Sequence, residues 1–407
     1  MINKSAAGVT RWTFVSLVAS GVVLLAVILA SELLLLPYAL ETAARVLYRA
    51  AFFIILPARG IVGMFIPQQG HHWPVEHLII SCMAAPFLYW MGWHAGRYLW
   101  KRFRHRVGEV FERPLPTRPH ELSRRQFLAR STAGVVGVAW SGIGGYASMV
   151  APQRLEIAEY TMGVRDLPKA FEGLRIVQIS DTHYGPYNSM PYLLDAAEKA
   201  NALDGDLVFF TGDYTHHTPR SVDPGITMLD QFEARIGRVA VLGNHDHWEG
   251  VETCKAAFRR IDVPLIDNGR LFLTPEGIQS EPVAGESICL AGVGDLWEDD
   301  VRMDKALHGV PAGMPRLVLS HNPDVAEEMD GDHRVDIMFS GHTHGGQVQV
   351  PGLGPPIVPS RYGMKYRGGL CEGPHCPVVV SHGIGVAFMP VRLGVPPDIG
   401  LITLKRA

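Results

Sequence analysis

The chain has 407 residues, of which 47% are hydrophobic and 19% charged, and its formal net charge is −3. This length allows two or three domains, and the composition lies at the apolar edge of globular proteins. The charge is uneven: residues 1–150 contain 15 Lys and Arg against 6 Asp and Glu, whereas the remainder contains 22 against 34. A basic, apolar N-terminal region therefore precedes an acidic domain. This domain lacks the clustered basic face expected of a protein that binds nucleic acid.

Two long apolar segments predict transmembrane helices in the first hundred residues. Residues 12–36 and 78–96 are each long enough to cross a hydrocarbon core of about 30 Å. Residues 50–67 are also apolar but are interrupted by proline, arginine and glycine, which favours an interfacial segment. The basic stretch 101–125 is expected in the cytoplasm by the positive-inside rule, so two spans precede it.

Residues 123–128 read Ser-Arg-Arg-Gln-Phe-Leu and precede an uncharged run at 131–150 that is rich in glycine and alanine. This string resembles the twin-arginine export signal of bacteria, here internal rather than N-terminal. The export machinery would recognise Arg124 and Arg125, and 131–150 would remain as an anchor. We therefore expect a bacterial inner-membrane protein with its C-terminal domain on the periplasmic or extracytoplasmic side. An ordinary juxtamembrane basic cluster, or a cytoplasmic domain, is the alternative.

The five cysteines contain no Cys-x-x-Cys pair, which argues against a cysteine metal site. Cys371 and Cys376 flank a turn-like stretch that would bring two sulfur atoms together in an oxidising compartment. A disulfide and a pair of free thiols both remain open.

From about Leu155 the pattern changes to short apolar runs rich in Val and Ile, which predict buried strands. The predicted strands are Leu174–Ile179, Leu207–Phe210, Val239–Leu242, Cys289–Val293, Leu317–Leu319, Ile337–Phe339, Val378–Val380 and Leu401–Leu404. Met190–Leu203 has the apolar spacing of a helix. This alternation indicates an α/β domain with its ligands at the strand ends.

Polar groups follow five of these runs, at the points where a strand would end and a loop begin. They are Asp181-Thr182-His183, Gly212-Asp213, Gly243-Asn244-His245-Asp246, Ser320-His321 and Gly341-His342-Thr343-His344. A lone histidine is more often structural than a ligand, but five such groups in one domain indicate one convergent site. Aspartate oxygens and neutral histidine nitrogens, without thiolate, suit a pair of manganese, iron, zinc or cobalt ions.

The spacing within the motifs suggests how the side chains converge. His342 and His344 are two residues apart, as are Asp181 and His183, so each pair would project to one side of an extended strand end. Sharp turns are expected at three glycines of the motifs: Gly212, Gly243 and Gly341.

In order and type, these groups resemble the five signature motifs of the calcineurin-like metallophosphoesterase superfamily, over residues 154–404. Gly341–Gln347 and the ending that starts at Val391 look closest to its membrane-associated bacterial branch. The resemblance implies an α/β fold, a four-layer αββα sandwich of two mixed sheets flanked by helices. With the predicted transmembrane helices before this fold, the expected organisation is a membrane region at 1–152 and a metallophosphoesterase domain at 153–407.

The resemblance also implies roles for the motif residues. Two divalent metal ions would be held by Asp181, His183 and His344 on one side and by Asn244, His321 and His342 on the other, with Asp213 bridging both. His245 would act on the leaving oxygen, and Asp246 would orient His245. The expected reaction is in-line attack of a metal-bridging hydroxide on a phosphomonoester, phosphodiester or pyrophosphate. Because the anchor confines the site near the bilayer, a lipid-linked or envelope substrate is favoured.

Two other functions remain as alternatives: a dinuclear amidase or peptidase, and a non-catalytic metal-stabilised scaffold or receptor. Asn244 and the order of the motifs argue against the first, and the intact Asp213 and His245 argue against the second. Three further residues either line a substrate pocket or pack in the core: Trp248, Trp297 and Met364. His382 either contacts phosphate or is an exposed loop residue.

Overall fold

The computed structural model describes residues 131, 135, 139, 142–216, 218–349, 352 and 354–407. The predictions for 12–36, 50–67, 78–96 and 123–128 lie outside these residues. Within the described part of the chain, no helix is both long enough and apolar enough to cross a bilayer. A compact unit runs from Trp140 to Ala407.

The strands of this unit are short. They are β1 (Glu156–Val164), β2 (Arg175–Ile179), β3 (Leu207–Thr211), β4 (Gly237–Val241), β5 (Gly269–Thr274), β6 (Gly277–Gln279), β7 (Ile288–Gly292), β8 (Arg316–Leu319), β9 (Ile337–Ser340), β10 (Gly369–Glu372), β11 (Pro377–Val380) and β12 (Asp398–Arg406). The α-helices are α1 (Met190–Asn201), α2 (Val222–Thr227), α3 (Asn244–Arg260), α4 (Met303–Leu307) and α5 (Val325–Glu328). Short 3-10 turns connect several of these elements.

The strands form two mixed sheets. The first has the order β1-β12-β2-β3-β4, in which β2, β3 and β4 are parallel and β12 runs antiparallel to β2. The second has the order β10-β11-β9-β8-β7-β5-β6, with a parallel centre from β11 to β7 and antiparallel edges. The prediction of an α/β fold with two mixed sheets is confirmed.

Three apolar clusters hold the layers together. The middle cluster joins the facing sides of the two sheets, for example Phe209 of β3 with Phe339 of β9, whose ring centroids are 5.0 Å apart. The outer face of the first sheet packs against α1, α2 and α3, with Phe258 in that cluster. The outer face of the second sheet packs against α4 and α5. Burial of both sheet faces explains why most strands are continuous apolar runs.

All eight predicted strands and the predicted helix are present, with ends that differ by a few residues. Four strands were not predicted: β1, β5, β6 and β10. These strands lie at or next to a sheet edge, where one side of the strand meets solvent and the sequence alternates or is short. In β1, for example, most residues from Glu156 to Thr161 are exposed or half-buried.

The end of the predicted anchor at 131–150 is helical and is attached to the C-terminal unit. Tyr146–Val150 forms one π-helical turn, with Ala147 buried and Met149 exposed. The carbonyl oxygen of Ala147 accepts a hydrogen bond from the backbone N–H of Arg392, at 2.9 Å. The last turn of this segment is therefore fixed to the loop that precedes β12.

Candidate metal centre

The five motifs follow β2, β3, β4, β8 and β9, at the carboxyl ends of these strands. Because β2, β3 and β4 are parallel in one sheet and β8 and β9 are parallel in the other, the loops that follow these strands lie together at the carboxyl ends of the strands in each sheet. The carboxyl ends of the two sheets are adjacent, since the His342 N–H after β9 donates to the Asp181 carboxylate after β2, at 3.1 Å. The predicted groups thus meet between the sheets.

Five of the seven predicted ligands have a positive φ, namely Asp181 (51°), His183 (44°), Asp213 (60°), His342 (70°) and His344 (50°). The expectation that the paired residues lie on extended strand ends is therefore wrong. Non-glycine residues in this region are uncommon and cost of order 1 kcal/mol or more each. The buried contacts of the site hold the backbone in this conformation.

Two of the motif glycines are required for close packing rather than for a turn with positive φ. A Cβ atom on Gly243 would collide with the Asp213 carboxylate, and one on Gly341 would collide with Ser180 and Asp181. Neither glycine has a positive φ, in contrast to Gly212 at 93°. Any side chain at Gly243 or Gly341 would displace a predicted ligand.

Asp181, His183 and His344 form the first cluster of ligands. Their ligand atoms lie within 4.8 Å of one another, and all three side chains are buried. The Nε2 atoms of His183 and His344 are 3.0 Å apart, and Asp181 Oδ1 is 3.2 Å from His344 Nε2. Although His342 and His344 are two residues apart, they fall into different clusters.

Asp213, His321 and His342 form the second cluster, again within 4.8 Å and buried. His342 Nδ1 lies 3.2 Å from His321 Nε2 and 3.0 Å from the side-chain oxygen of Asn244. The structure therefore brings Asn244 to this cluster as the resemblance implies.

One oxygen atom lies between the two clusters. Asp213 Oδ2 is 3.6 Å from His183 Nε2 in the first cluster and 3.2 Å from His321 Nε2 in the second. The other oxygen, Oδ1, accepts a hydrogen bond from the backbone N–H of His245 at 2.8 Å. Asp213 is thus placed to share one oxygen between two cations.

The hydrogen-bond partners of these side chains fit cation binding. His321 Nδ1 faces the Thr211 carbonyl oxygen at 2.7 Å. Because a carbonyl only accepts, Nδ1 carries the hydrogen, and the ring in its neutral form would present the lone pair of Nε2 to the cluster. Burial, and the charge of His321, lower the pKa of His342 to about 3, so His342 stays neutral and able to ligate.

The electrostatics of the clusters also favour positive charge between them. Burial alone would raise the pKa of Asp181 and Asp213, but neighbouring histidines hold the pKa of both well below the usual value. Burial would lower the pKa of His321, yet the Asp213 carboxylate raises it well above the usual value. Two buried, ionised carboxylates require compensating positive charge, which protonated histidines or bound metal ions supply.

His245 lies beside the first cluster. Its ring centroid is 4.7 Å from that of His183, and its Nδ1 is 3.0 Å from Nδ1 of His216. His183, His216 and His245 form a third group with ligand atoms within 4.8 Å. Sequence reasoning missed His216, although it follows Asp213 by three residues in the same loop.

Asp246 makes contacts that differ from the expected one to His245. Its carboxylate accepts hydrogen bonds from the backbone N–H groups of Asp213 (2.8 Å), Tyr214 (2.9 Å) and Gly243 (3.0 Å). Burial and the charge of Asp213 raise the pKa of Asp246 to about 7. These contacts fix the loops that carry Asp213 and Asn244.

Arg392 is a second residue without an assigned role in the sequence. It is fully buried, and its guanidinium donates to the carbonyl oxygens of His382 (2.7 Å), Gly383 (2.9 Å) and Gly385 (2.5 Å). Burial lowers the pKa of Arg392 to about 10. The N–H of Gly385 in turn donates to the Asp181 carbonyl at 2.7 Å, so Arg392 supports the backbone of the first cluster.

The other residues that the sequence suggested as substrate contacts differ in their distance from the proposed ligands. Trp248 lies 4.5 Å from the His245 ring and Trp297 lies 4.4 Å from the His342 ring. Met364 is exposed and lies beside Gly354. His382 is partly buried, with Nδ1 at 3.4 Å from Asp398.

Cys371 and Cys376 lie on the β10–β11 hairpin. Both are buried, free thiols, so the structure contains no disulfide between them.

Comparison with known proteins agrees with this geometry. The family model of calcineurin-like phosphoesterases matches residues 174–346. A protein named as an uncharacterized metallophosphoesterase, YkuE of Bacillus subtilis, is 32% identical over 70% of this chain and 98% of its own length. Phosphodiesterase YaeI of Escherichia coli is 28% identical, over 70% of this chain and 99% of its own. UDP-2,3-diacylglucosamine pyrophosphatase LpxG of Chlamydia trachomatis is 27% identical, over 51% of this chain and 74% of its own. The chain belongs to the calcineurin-like metallophosphoesterase family.

Proposed function

We propose that this protein is a metal-dependent phosphoesterase that hydrolyses a lipid-linked or envelope phosphoester or pyrophosphate. The observation that carries the proposal is the position of Asp213 Oδ2 between two buried ligand clusters, with His245 beside them. Two such clusters sharing one carboxylate suit two adjacent cations, the arrangement that activates water and clamps phosphate oxygens. A scaffold would require the clusters but not an adjacent histidine.

The side chains of the two clusters have the following proposed roles. Asp181, His183 and His344 would hold one cation; Asn244, His321 and His342 would hold the second. Asp213 would bind both. When bound, the cations would lower the pKa of coordinated water and offset charge on the phosphoryl oxygens.

His245 is proposed to donate a proton to the leaving oxygen from Nε2. Its Nδ1 faces His216, which holds the ring in position at 3.0 Å. The Asp213 carboxylate fixes the backbone of His245 through its N–H. Asp246 is proposed to act as a support of these loops rather than as a partner of the His245 ring.

The relatives support an ester or anhydride of phosphate as the substrate class. YaeI is named a phosphodiesterase, and LpxG is named a pyrophosphatase of a diacylated sugar nucleotide. The proposal of a lipid-linked substrate rests on LpxG together with the apolar segments at 12–36, 78–96 and 131–150.

The test is a measurement of metal content and hydrolysis on the purified full chain. We expect two equivalents of manganese, iron, zinc or cobalt per chain, and hydrolysis of p-nitrophenyl or bis-p-nitrophenyl phosphate that chelation abolishes and metal restores. Two bound metals without hydrolysis of mono-, di- or pyrophosphate esters would favour the scaffold. Cleavage of amides by the same sample would favour the amidase.

The location is proposed separately: an inner-membrane protein whose domain after Val150 is exported through the twin-arginine machinery. The proposal rests on Ser123–Leu128 after a basic stretch. A reporter that is active only outside the cytoplasm, fused after Ala407, should be active. Changing Arg124 and Arg125 together to Lys should abolish reporter activity. Retained activity would assign export to the ordinary secretion route, and an inactive native fusion of normal abundance would place the domain in the cytoplasm.

A further inference from the structure

Three aromatic side chains lie beside the candidate metal centre; we call them the aromatic rim. Trp248 and Phe388 contact the His245 ring, with centroids 4.5 and 5.8 Å away, and Trp297 lies edge-on to the His342 ring. The two tryptophan rings are 6.5 Å apart and inclined by 26°. The rim therefore borders both the proposed leaving-group acid and a proposed metal ligand.

Phe388 is in an unfavourable environment for a phenylalanine unless a ligand covers it. Its side chain is 48% exposed, and its φ is 54°, a left-handed conformation that is rare for bulky residues. Backbone strain of this kind persists where surrounding structure enforces it, and it is concentrated at ligand-binding sites. An exposed aromatic ring held under strain beside a hydrolytic centre is a candidate ligand contact.

The surrounding structure does enforce this conformation. The buried amide of Asn188 makes two hydrogen bonds of 3.0 Å with the backbone of Val386, and the buried amide of Gln347 makes two of 2.8 Å with that of Ala387. Asn188 also donates to the His183 carbonyl at 2.8 Å. The backbone directly before Phe388 is therefore fixed relative to the metal centre.

Hydrogen bonds also hold the Trp248 side chain and the backbone of Trp297. The indole N–H of Trp248 donates to Glu298 Oε1 at 2.7 Å, and the backbone N–H of Trp297 donates to Asp295 Oδ1 at 2.9 Å. Both side chains are partly exposed. Fixed aromatic groups lose little conformational entropy when a ligand packs against them, which favours binding of an apolar group.

An apolar turn of the protein lies within reach of Phe388, which favours a long aliphatic group over a single planar ring. Phe388 precedes Arg392 by four residues, and Arg392 N–H donates to the Ala147 carbonyl oxygen at 2.9 Å. Because four residues span at most about 14 Å, the 146–150 turn lies near the rim. The exposed side chains of this turn are apolar: Tyr146 (40%), Met149 (56%) and Val150 (52%).

We propose that the aromatic rim binds an alkyl or acyl chain on the leaving group of the substrate, with Phe388 as the residue that determines chain-length preference. The proposal rests on the proposed phosphoesterase function. Trp248 and Phe388 lie beside His245, the proposed proton donor to the leaving oxygen. The alkyl or acyl chain of the substrate therefore belongs to the alcohol that departs.

The experiment uses the full, metal-loaded chain and methyl, butyl and octyl phosphates, with the corresponding dialkyl phosphates for diester activity. These alcohols leave with similar ease, so differences report contact with the chain. Each fully buried methylene contributes about fourfold. Because the rim is partly exposed, we expect kcat/KM to rise by about tenfold or more from methyl to octyl.

Three variants locate the effect. Phe388→Gly relieves the positive φ and should bring the ratio of octyl to methyl kcat/KM close to one without lowering the unfolding temperature, whatever its effect on the methyl ester itself. Phe388→Leu should retain most of the dependence. Ile236→Ala, at the opposite end of β4 and with a 38% exposed side chain, should change nothing.

Binding of octylphosphonate and methylphosphonate, measured by calorimetry, provides a readout that needs no turnover. Octylphosphonate should bind about tenfold more tightly, and Phe388→Gly should remove the difference. Chain-length independence, or dependence that persists in Phe388→Gly, would overturn the proposal. Tighter binding of phenylphosphonate than of hexylphosphonate would assign a planar ligand instead and also overturn it. Absence of hydrolysis with both metals bound would refute the proposed function, not the rim.

Discussion

The floor and the rim of the site are built in different ways. The floor comprises the seven proposed ligands, which are almost completely buried and follow parallel strands directly, most of them in short loops and Asn244 at the start of α3. The aromatic rim lies farther along the chain from those strand ends: Trp248 on α3, and Trp297 and Phe388 in loops. The floor is fixed by buried polar contacts, whereas the rim is partly exposed and packs on the floor through ring contacts.

This difference reflects what each part must recognise. Binding of cations restricts a ligand to a few residue types, because only certain oxygen and nitrogen donors suit the ions. An apolar group on a substrate imposes no such restriction, since any large hydrophobic side chain in the right place will contact it. The residue types of the floor are therefore restricted by the chemistry of cation binding, whereas those of the rim are restricted only by the shape of the substrate that they contact.

Asp213→Asn is the change with the largest expected effect on the floor. The amide lacks the charge that serves both clusters, so metal content and hydrolysis should fall together. Turnover should drop by about 10⁴-fold or more, since several kcal/mol of stabilisation are lost and each ~1.4 kcal/mol is tenfold. Metal analysis and kinetics on the same sample provide the measurement.

Asp206→Asn is the matched control for this change, because Asp206 lies at the opposite end of β3, where it contacts Arg235 at 2.6 Å. It should leave metal content and turnover unchanged. If Asp213→Asn kept two equivalents of metal and near-normal turnover, the bridging role would be wrong.

His245→Ala tests the point where floor and rim meet. Metal stoichiometry should stay at the native value, and turnover should fall by about 10² to 10⁴, the usual range for general acid catalysis. The loss should be smaller for nitrophenyl esters, whose leaving group needs little protonation. The measurement is kcat across esters of increasing leaving-group pKa.

His247→Ala is the control on the same helix, since His247 lines a separate cavity of about 610 Å³ together with Lys255, Arg259 and Arg302. Its kinetics should remain native. A uniform loss across all leaving groups in His245→Ala would indicate phosphate positioning, and a loss of metal would make His245 a ligand in the group with His183 and His216.

The sequence predicted the sheets and the floor because both leave local signals. Strands buried on both faces are continuous apolar runs, and a proposed ligand closely follows five of these runs, as Asp213 follows β3. The geometry within the motifs was not predictable. His342 and His344 diverge to different clusters because each has a positive φ, which depends on contacts with Asp181 after another strand.

The rim and the supports of the floor left weaker signals. Phe388 and Trp297 are distant in sequence from the motifs, and their position depends on how loops of different sheets pack together. Gln347 lay inside a motif, but its role depends on Ala387, 40 residues later. Arg392 is a single charge within an apolar stretch of the sequence, which does not show what it contacts.

Asp267 offers the smallest test, because it is a carboxylate near the floor that is not a ligand. Its Oδ1 accepts the N–H of Leu242 at 2.9 Å, just before the Gly243–Asp246 motif. Although part of the side chain reaches the surface, burial raises its pKa to about 7. Burial of a carboxylate alone should thus affect stability but not metal binding.

Asp267→Asn keeps an oxygen acceptor for Leu242 N–H and removes the titration. Below about pH 4 the carboxyl is protonated in both the folded and unfolded states, so it contributes no pH dependence. Between about pH 4 and 7 the folded state retains a proton that the unfolded state releases, so native stability falls as pH rises. The gain in free energy of unfolding of the variant over the native protein should therefore grow over this range and stay constant above pH 7, at about 1 kcal/mol after allowance for partial exposure.

Unfolding temperatures of both proteins at pH 5 and pH 8 measure this gain, with Asp195→Asn on α1 as the exposed control. A variant that lost metal or turnover would instead place Asp267 in the floor, and a stability difference independent of pH would show that its carboxyl does not titrate near 7.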